Sequence, residues 1–303
     1  MDKFILKPNT IRTSYFVKFV KIVIALSSPL QIIGVLILLL SVVFTPMFGF
    51  YYLVRFIRNS VIDRLPAFEM RINMNRGRAQ YANDLLLEKF PYYKALNEQN
   101  RNRFLARLFK FIEAKYFIPS GGTILTKEMT ILISASAIQL TFGLNEYLLH
   151  TFKRIFIYPK EFYSKFNKRY HKGETNLGGA IIFSWNNFTS GYEDPTNNYN
   201  LGLHEMAHAL RFNKFRSDEY DQFFDMYYEK WLLVANDEFI KLSNNIPSYL
   251  REYAGANKEE FFAVCVEHFF ETPHEFKKQL QEVYKHLSIL LNQDPTKQFD
   301  PKY

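Results

Sequence analysis

The chain has 303 residues, 48% of them hydrophobic and 22% charged, with 38 Lys and Arg against 30 Asp and Glu for a net charge of +8. Such a composition excludes a wholly disordered chain, and the lone cysteine, Cys265, excludes an internal disulfide framework. The basic excess does not indicate nucleic acid: residues 1–78 hold eleven Lys and Arg against three Asp and Glu, whereas residues 79–303 hold 27 of each and carry no zinc-finger or RNA-binding signature.

All of that excess flanks one hydrophobic segment, as expected beside an anionic membrane surface. Residues 1–29 read as a basic lead-in, with Tyr15 to Leu26 lying at the interface around Lys18 and Lys21. From Ile22 to Val54 no residue is charged, a run of 33. One straight helix of that length would measure about 50 Å against a hydrocarbon core of about 30 Å. Pro29 is a natural break, so residues 30–54 are predicted to form a single transmembrane helix, kinked at Pro46. The stretch is too long, and starts too far from Met1, for a cleavable signal peptide, and no polar loop divides it into a two-helix hairpin. Lys3, Lys7, Arg12, Lys18 and Lys21 precede the span, while Arg55, Arg58, Arg64, Arg71, Arg76 and Arg78 follow it. That narrow difference predicts a single-pass chain in the cell membrane with its C-terminal domain in the cytoplasm.

Residues 55–87 form an arginine-rich connector, and residues 88–303 are expected to form one domain with a single core. Glu98 to Phe117 has helical spacing, with Phe104, Leu105, Leu108, Phe109 and Ile112 on one side. Thr126 is placed to cap a second helix ending near Leu140. Arg154 to Tyr158 and Gly179 to Ser184 read as short strands, followed by a loop rich in Asn, Gly and Pro from Asn186 to Asn200. Asp218 to Leu242 and Pro273 to Leu291 are predicted helices, which makes the domain α+β, mostly helix with a small sheet.

The segment His204-Glu205-Met206-Ala207-His208 carries the chemistry. Residues four apart on a helix share a face, so both imidazoles can reach one metal ion while Glu205 is placed to take a proton from a water. A solvated pair of surface histidines is the plain alternative. The apolar, small neighbours Leu201-Gly202-Leu203, Met206-Ala207 and Ala209-Leu210 oppose it, because they bury the helix. Downstream, Asn257 to Phe270 reads as a helix on which Glu260 shares an inward face with Ala263, Val264 and Glu267. An inward carboxylate needs a partner, which makes Glu260 the candidate third ligand. Glu267 suits either a hydrogen bond to a ligand histidine or a buried pairing with an Arg or Lys. Glu259 is a first-turn acid, and Cys265 is a small buried apolar residue. His268, His274 and His286 are expected to be surface or packing residues. Tyr253, seven residues before Glu260, can fold its phenol beside the metal across the Ala-Gly-Ala-Asn turn.

These pieces resemble the Mlc titration factor A family of zinc peptidases, itself similar to the catalytic domain of anthrax lethal factor. The matching residues are Phe90-Pro91-Tyr92-Tyr93, Ile157-Tyr158-Pro159, Gly179 to Trp185, Asn200, His204 to His208 and Glu260 to Val264, within residues 88–275. The resemblance implies a zincin-like fold and one zinc ion held by His204, His208 and Glu260. It also implies Glu205 as catalytic base, Tyr253 as transition-state stabiliser and a cytoplasmic setting. In peptidases of this architecture an edge strand pairs with substrate, a role expected here of Gly179–Ser184, with interior sheet as the alternative. The N-terminal hydrophobic segment is not part of the family's soluble form. The expected activity is peptide-bond hydrolysis on a peptide or protein substrate. The rival expectation is a membrane-tethered protein that sequesters a regulatory partner, since the family is named for binding a transcriptional repressor. Glu205 discriminates, because a binding module has no use for a base.

Overall fold

The computed structural model describes residues 76–298 apart from 165–166 and 217–221, together with scattered positions between 33 and 53. The chain divides into two compact units, Met1–Arg64 and Leu65–Tyr303. In the first, the described positions are helical, and Ile33, Ile37, Leu40, Val42, Phe44, Phe48, Phe50 and Leu53 are all exposed. Among the described residues no helix is long and apolar enough to cross a membrane. The expected lead-in over 1–29 and much of the expected span over 30–54 lie outside the described residues, as does most of the connector. The structure therefore lends no support to a membrane anchor.

The second unit is α+β, mostly helical with a small sheet. It begins with α1 (Arg76–Lys89), which buries Ala82 and Leu86, and the short α2 (Pro91–Ala95). Next comes α3 (Glu98–Glu113), capped by Asn97, whose Oδ1 accepts from the Asn100 N–H at 2.9 Å. The spacing predicts this helix as far as Phe117, yet it stops at Glu113 because Tyr116–Pro119 is claimed by the sheet as β1. The Lys115 ammonium pins the junction, donating to the Leu149 carbonyl at 2.8 Å. Thr126 caps α4 (Lys127–Thr141), accepting from the Met129 N–H at 3.2 Å. Every residue of α4 from Ile131 to Thr141 is buried, as befits a helix apolar on all sides. Its Ser136 and Thr141 hydroxyls satisfy themselves on the carbonyls one turn back.

The main sheet has the order β1, β2 (Arg154–Tyr158), β6 (Ala180–Ser184), β5 (Gly173–Asn176), with the first three parallel and β5 antiparallel to β6. A separate hairpin pairs β3 (Phe162–Ser164) with β4 (Arg169–His171). Strand β6 is thus interior, bonded on both sides, with Ala180, Ile181, Phe183 and Ser184 buried. This overturns its expected role as the substrate-pairing edge; the edges are β1 and β5, and β5 is the one beside α6. The expected loop from Asn186 is largely helical, as α5 (Trp185–Glu193), leaving only residues 194–200 irregular.

Helix α6 (Leu201–Arg216) carries the two site histidines and packs against α4, α5, β5 and β6. Then follow α7 (Gln222–Ser243), a 3₁₀ turn (Glu252–Gly255) and α8 (Lys258–Glu271), which also packs on α6. Trp231 of α7 sets its indole 5.8 Å and 5.3 Å from the rings of Phe261 and Phe262 on α8, and Cys265 is fully buried beside them in sequence. Each large apolar side chain buried here contributes about 1.5–3 kcal/mol, which fixes α8 in place. The helix expected over Pro273 to Leu291 is two, α9 (Pro273–Gln279) and α10 (Gln281–Leu291), broken at Leu280 with φ −132° and ψ 62°. The break lets Phe276 and Tyr284 meet in the core with ring centres 5.8 Å apart. A last short helix, α11 (Pro295–Gln298), closes the described chain.

Candidate metal centre

Two caps aim the site. Asn200 sits before α6 and its Oδ1 accepts from the Leu203 N–H at 3.0 Å, while its own N–H donates to Glu267 Oε2 at 2.8 Å. Asn257 sits before α8 and its Oδ1 accepts from the Glu260 N–H at 2.8 Å. Glu260 therefore occupies the positive end of the α8 dipole, where a carboxylate is favoured. The turn between Tyr253 and Asn257 passes so close to α7 that a Cβ on Gly255 would lie 2.6 Å from the Leu242 carbonyl. Only glycine fits that approach.

With α6 and α8 so placed, His204 Nε2 lies 3.1 Å from Glu260 Oε2, His208 Nε2 lies 3.5 Å from the same oxygen, and the two Nε2 atoms are 3.2 Å apart. An ion bound tetrahedrally at about 2.0–2.1 Å separates its ligand atoms by about 3.3–3.4 Å, which is the size of this triangle. Glu260 Oε2 is buried, and among the described residues no group donates to it. Three electron-pair donors facing one another without a hydrogen-bond donor between them fit a cation, and His204, His208 and Glu260 could hold one.

Glu267 governs the first histidine. Its Oε1 accepts from His204 Nδ1 at 2.7 Å, which leaves the His204 Nε2 lone pair facing the triangle. Arg251 spans the same carboxylate, donating to Oε1 at 2.5 Å and to Oε2 at 3.2 Å, and also donates to the Asn198 carbonyl. Glu267 thus makes both expected contacts at once, to His204 and to an arginine. Burial opposes its charge, but His204 and Arg251 hold its carboxyl below the usual range. For His204, burial works against the proton, yet Glu260 and Glu267 raise the imidazole to about 10. The same pairing lowers the Glu260 carboxyl. A bound cation would take the place of that shared proton.

Glu205 faces the edge strand. Thr175 of β5 sets its hydroxyl 2.9 Å from Glu205 Oε2 and 3.0 Å from the Glu205 carbonyl. A Cβ on Gly173 would lie 2.5 Å from Glu205 Oε1, so β5 approaches the acid only because residue 173 lacks a side chain. Burial raises the Glu205 carboxyl, making it a stronger base than an exposed glutamate. Tyr253 leaves its ring 6.3 Å from that of His204 and is half exposed. Burial and the adjacent Glu260 push its hydroxyl up to about 12, so it stays a hydrogen-bond donor.

These groups open onto a cleft of about 1170 Å³ whose walls include Arg169, Lys172, Asn187, Asn198 and Tyr249. Of the other histidines, His268 is buried against Tyr249 and Phe276, and burial lowers its imidazole to about 4. Sequence reasoning missed Arg251 and Thr175. Asn200 had a readable signal, an N-cap residue at the head of an apolar helix, whereas Thr175 lies on a strand too short to announce itself.

The glucose-regulated metallo-peptidase M90 family model matches residues 69–290. An uncharacterized protein of Synechocystis sp. (strain ATCC 27184 / PCC 6803 / Kazusa) is 26% identical over 218 residues, 66% of this chain and 79% of that protein. Mlc titration factor A of Yersinia pestis (strain Pestoides F) is 24% identical over 226 residues, 68% of this chain and 82% of its own. The same figures hold for Mlc titration factor A of Yersinia pseudotuberculosis serotype O:1b. The match of the family model over most of the chain makes this protein a member of the glucose-regulated M90 metallo-peptidases, a family that implies a metal ion.

Proposed function

We propose that the chain is a zinc-dependent peptidase, with His204, His208 and Glu260 holding one zinc ion, Glu205 as general base and Tyr253 as oxyanion donor. The observation that carries this reading is the convergence of two Nε2 atoms and one orphaned carboxylate oxygen beside a buried glutamate. When bound, zinc supplies Lewis acidity, lowering the pKa of a water toward about 7 and polarising the scissile carbonyl. The Glu205 carboxylate takes the proton from the attacking water and returns it to the leaving amine. The Tyr253 hydroxyl donates to the carbonyl oxygen as negative charge builds there. Glu267 and Arg251 keep His204 in the tautomer that presents Nε2. The free edge of β5 offers backbone groups to an extended peptide, which favours a site tolerant of many sequences.

Glu205→Gln tests the mechanism. It is expected to retain stoichiometric zinc while losing at least about a hundredfold in turnover, the usual contribution of a general base. A variant as active as the wild type would remove Glu205 from the reaction.

A second reading is favoured by the relatives named for titrating Mlc: capture of a regulatory protein. It predicts metal-loaded protein without turnover in either form. For location, the reading that accounts for the uncharged run from Ile22 to Val54 is a chain held in a membrane with the metal-site unit in the cytoplasm.

A further inference from the structure

Residues 79–303 are balanced in charge, but one stretch within them is not. Between positions 160 and 172 the chain carries Lys160, Lys165, Lys168, Arg169 and Lys172 against the single Glu161. This stretch forms the β3–β4 hairpin, and its last residues, Arg169, Tyr170, His171 and Lys172, make up one wall of the cleft that ends at His204 and Glu205. Asn187, Ser190, Asn197 and Asn198, all uncharged, also line the cleft.

The acids of the cleft are largely committed. Glu267 is held by Arg251 and His204, and Glu205 by Thr175; Glu252 is the exception, lining the cleft and exposed. The hairpin cations are not committed: among the described residues neither Arg169 nor Lys172 forms an ion pair, and the described bond of the Arg169 side chain is from Nε to His171 Nε2 at 3.1 Å. Arg169 and Tyr253 line the same cleft as His204 and Glu205. On the same hairpin Tyr163 and Tyr170 pack edge to face at 5.5 Å, both more than half exposed. Exposed aromatic faces suit the aliphatic stems of neighbouring residues in an extended chain.

We propose that the cleft selects acidic polypeptide segments, with Arg169 and Lys172 of the hairpin wall pairing with Asp or Glu side chains next to the scissile bond. This rests on the peptidase reading of the same site. Anionic lipid and duplex nucleic acid share the charge but not the shape, because these cations face a cleft leading to the metal triangle, which neither a bilayer nor a duplex enters.

The test uses the full chain loaded with zinc and three alanine-based decapeptides carrying three Glu, three Gln or three Lys. Cleavage is followed by mass spectrometry, beside the double variant Arg169→Gln/Lys172→Gln. The expected result is a kcat/KM for the Glu peptide roughly tenfold above that for the Gln peptide, shrinking as salt rises. The double variant should lose that preference, cleaving the Glu and Gln peptides with the same kcat/KM. Equal cleavage of the Glu and Gln peptides by the wild type overturns the proposal, as does a preference that survives in the double variant. If nothing is cleaved, the peptidase reading fails separately, and fluorescence anisotropy of the labelled peptides on the zinc-loaded chain decides recognition. Tighter binding of the Glu peptide, lost in the double variant, sustains it; equal binding overturns it. Binding of phosphatidylserine vesicles through these two residues, with no peptide preference, would assign the patch to a membrane surface and overturn it as well.

Discussion

At the scale of single residues, the site depends on what is absent at position 173 as much as on what is present at 205. Gly173→Ala would set a methyl 2.5 Å from Glu205 Oε1 and 2.7 Å from Leu201 Cδ1, so the carboxylate must swing aside. The expected loss in kcat/KM is about a hundredfold, that of an ångström-scale misplacement, with metal content unchanged. Kinetics near wild type would show that the acid has another working position. Glu271 gives a second handle. Burial pushes its carboxyl up to about 8; Oε1 accepts from Asn200 Nδ2 at 3.1 Å, while buried Oε2 has no partner among the described residues. The folded chain keeps this proton up to about pH 8, whereas the unfolded chain releases it near the ordinary value of 4.5. Between those two values the unfolded state binds fewer protons, so stability falls as pH rises, by up to about 1.4 kcal/mol per pH unit. Denaturant titrations of wild type and Glu271→Gln across that window should diverge; parallel curves would refute the assignment. The histidine spacing was legible in the sequence because i and i+4 share a helix face. Thr175 and Arg251 were not, since their partners, Glu205 and Glu267, lie on other elements.

At the scale of elements, the metal triangle is a joint between α6 and α8. Two donors come from one helix and one from the other, so an ion held there would tie α6 to α8. Metal removal should therefore loosen the joint. With free zinc at about a thousand times Kd, binding adds about 4 kcal/mol, so a chelator should lower Tm by on the order of 10 °C. An unchanged Tm would show that no ion is held there. The long helices were readable from periodicity and, at Thr126, from a cap; the structure adds Asn97 and Asn257 as caps, a device worth about 1 kcal/mol apiece. The strands were less readable. β1, β3, β4 and β5 are three or four residues long, too short for alternation to register, and β1 was absorbed into the preceding helical pattern. Likewise Leu280 gave no sign of a break, because it is a good helix former whose kink is imposed by the packing of Phe276 on Tyr284.

For the whole molecule, one division stands out between a metal-site unit with a buried core and an N-terminal unit whose described apolar positions are all exposed. Ile33, Ile37, Leu40 and Phe44 are exposed among the described residues of that unit. A membrane-held chain should stay in the pellet after alkaline extraction of cell membranes; release into the supernatant would end the membrane reading. Family membership was legible from residues 88–275 because the metal chemistry constrains residue type and spacing together. The N-terminal segment carries no such constraint, only hydropathy, and hydropathy alone does not fix a location.

The parallel pairing of β1 with β2 and of β2 with β6 also orders events in time. Tyr116 meets Arg154, and Arg154 meets Ala180, so each pairing closes a long loop before any hydrogen bond rewards it. The floor beneath α6 is consequently expected to assemble later than the helix itself, whose contacts are local. During that interval a nascent chain displays His204 and His208 one turn apart, without Glu260. Two imidazoles alone would grip an ion weakly, so a tight site is expected only once α8 has brought Glu260 up to α6.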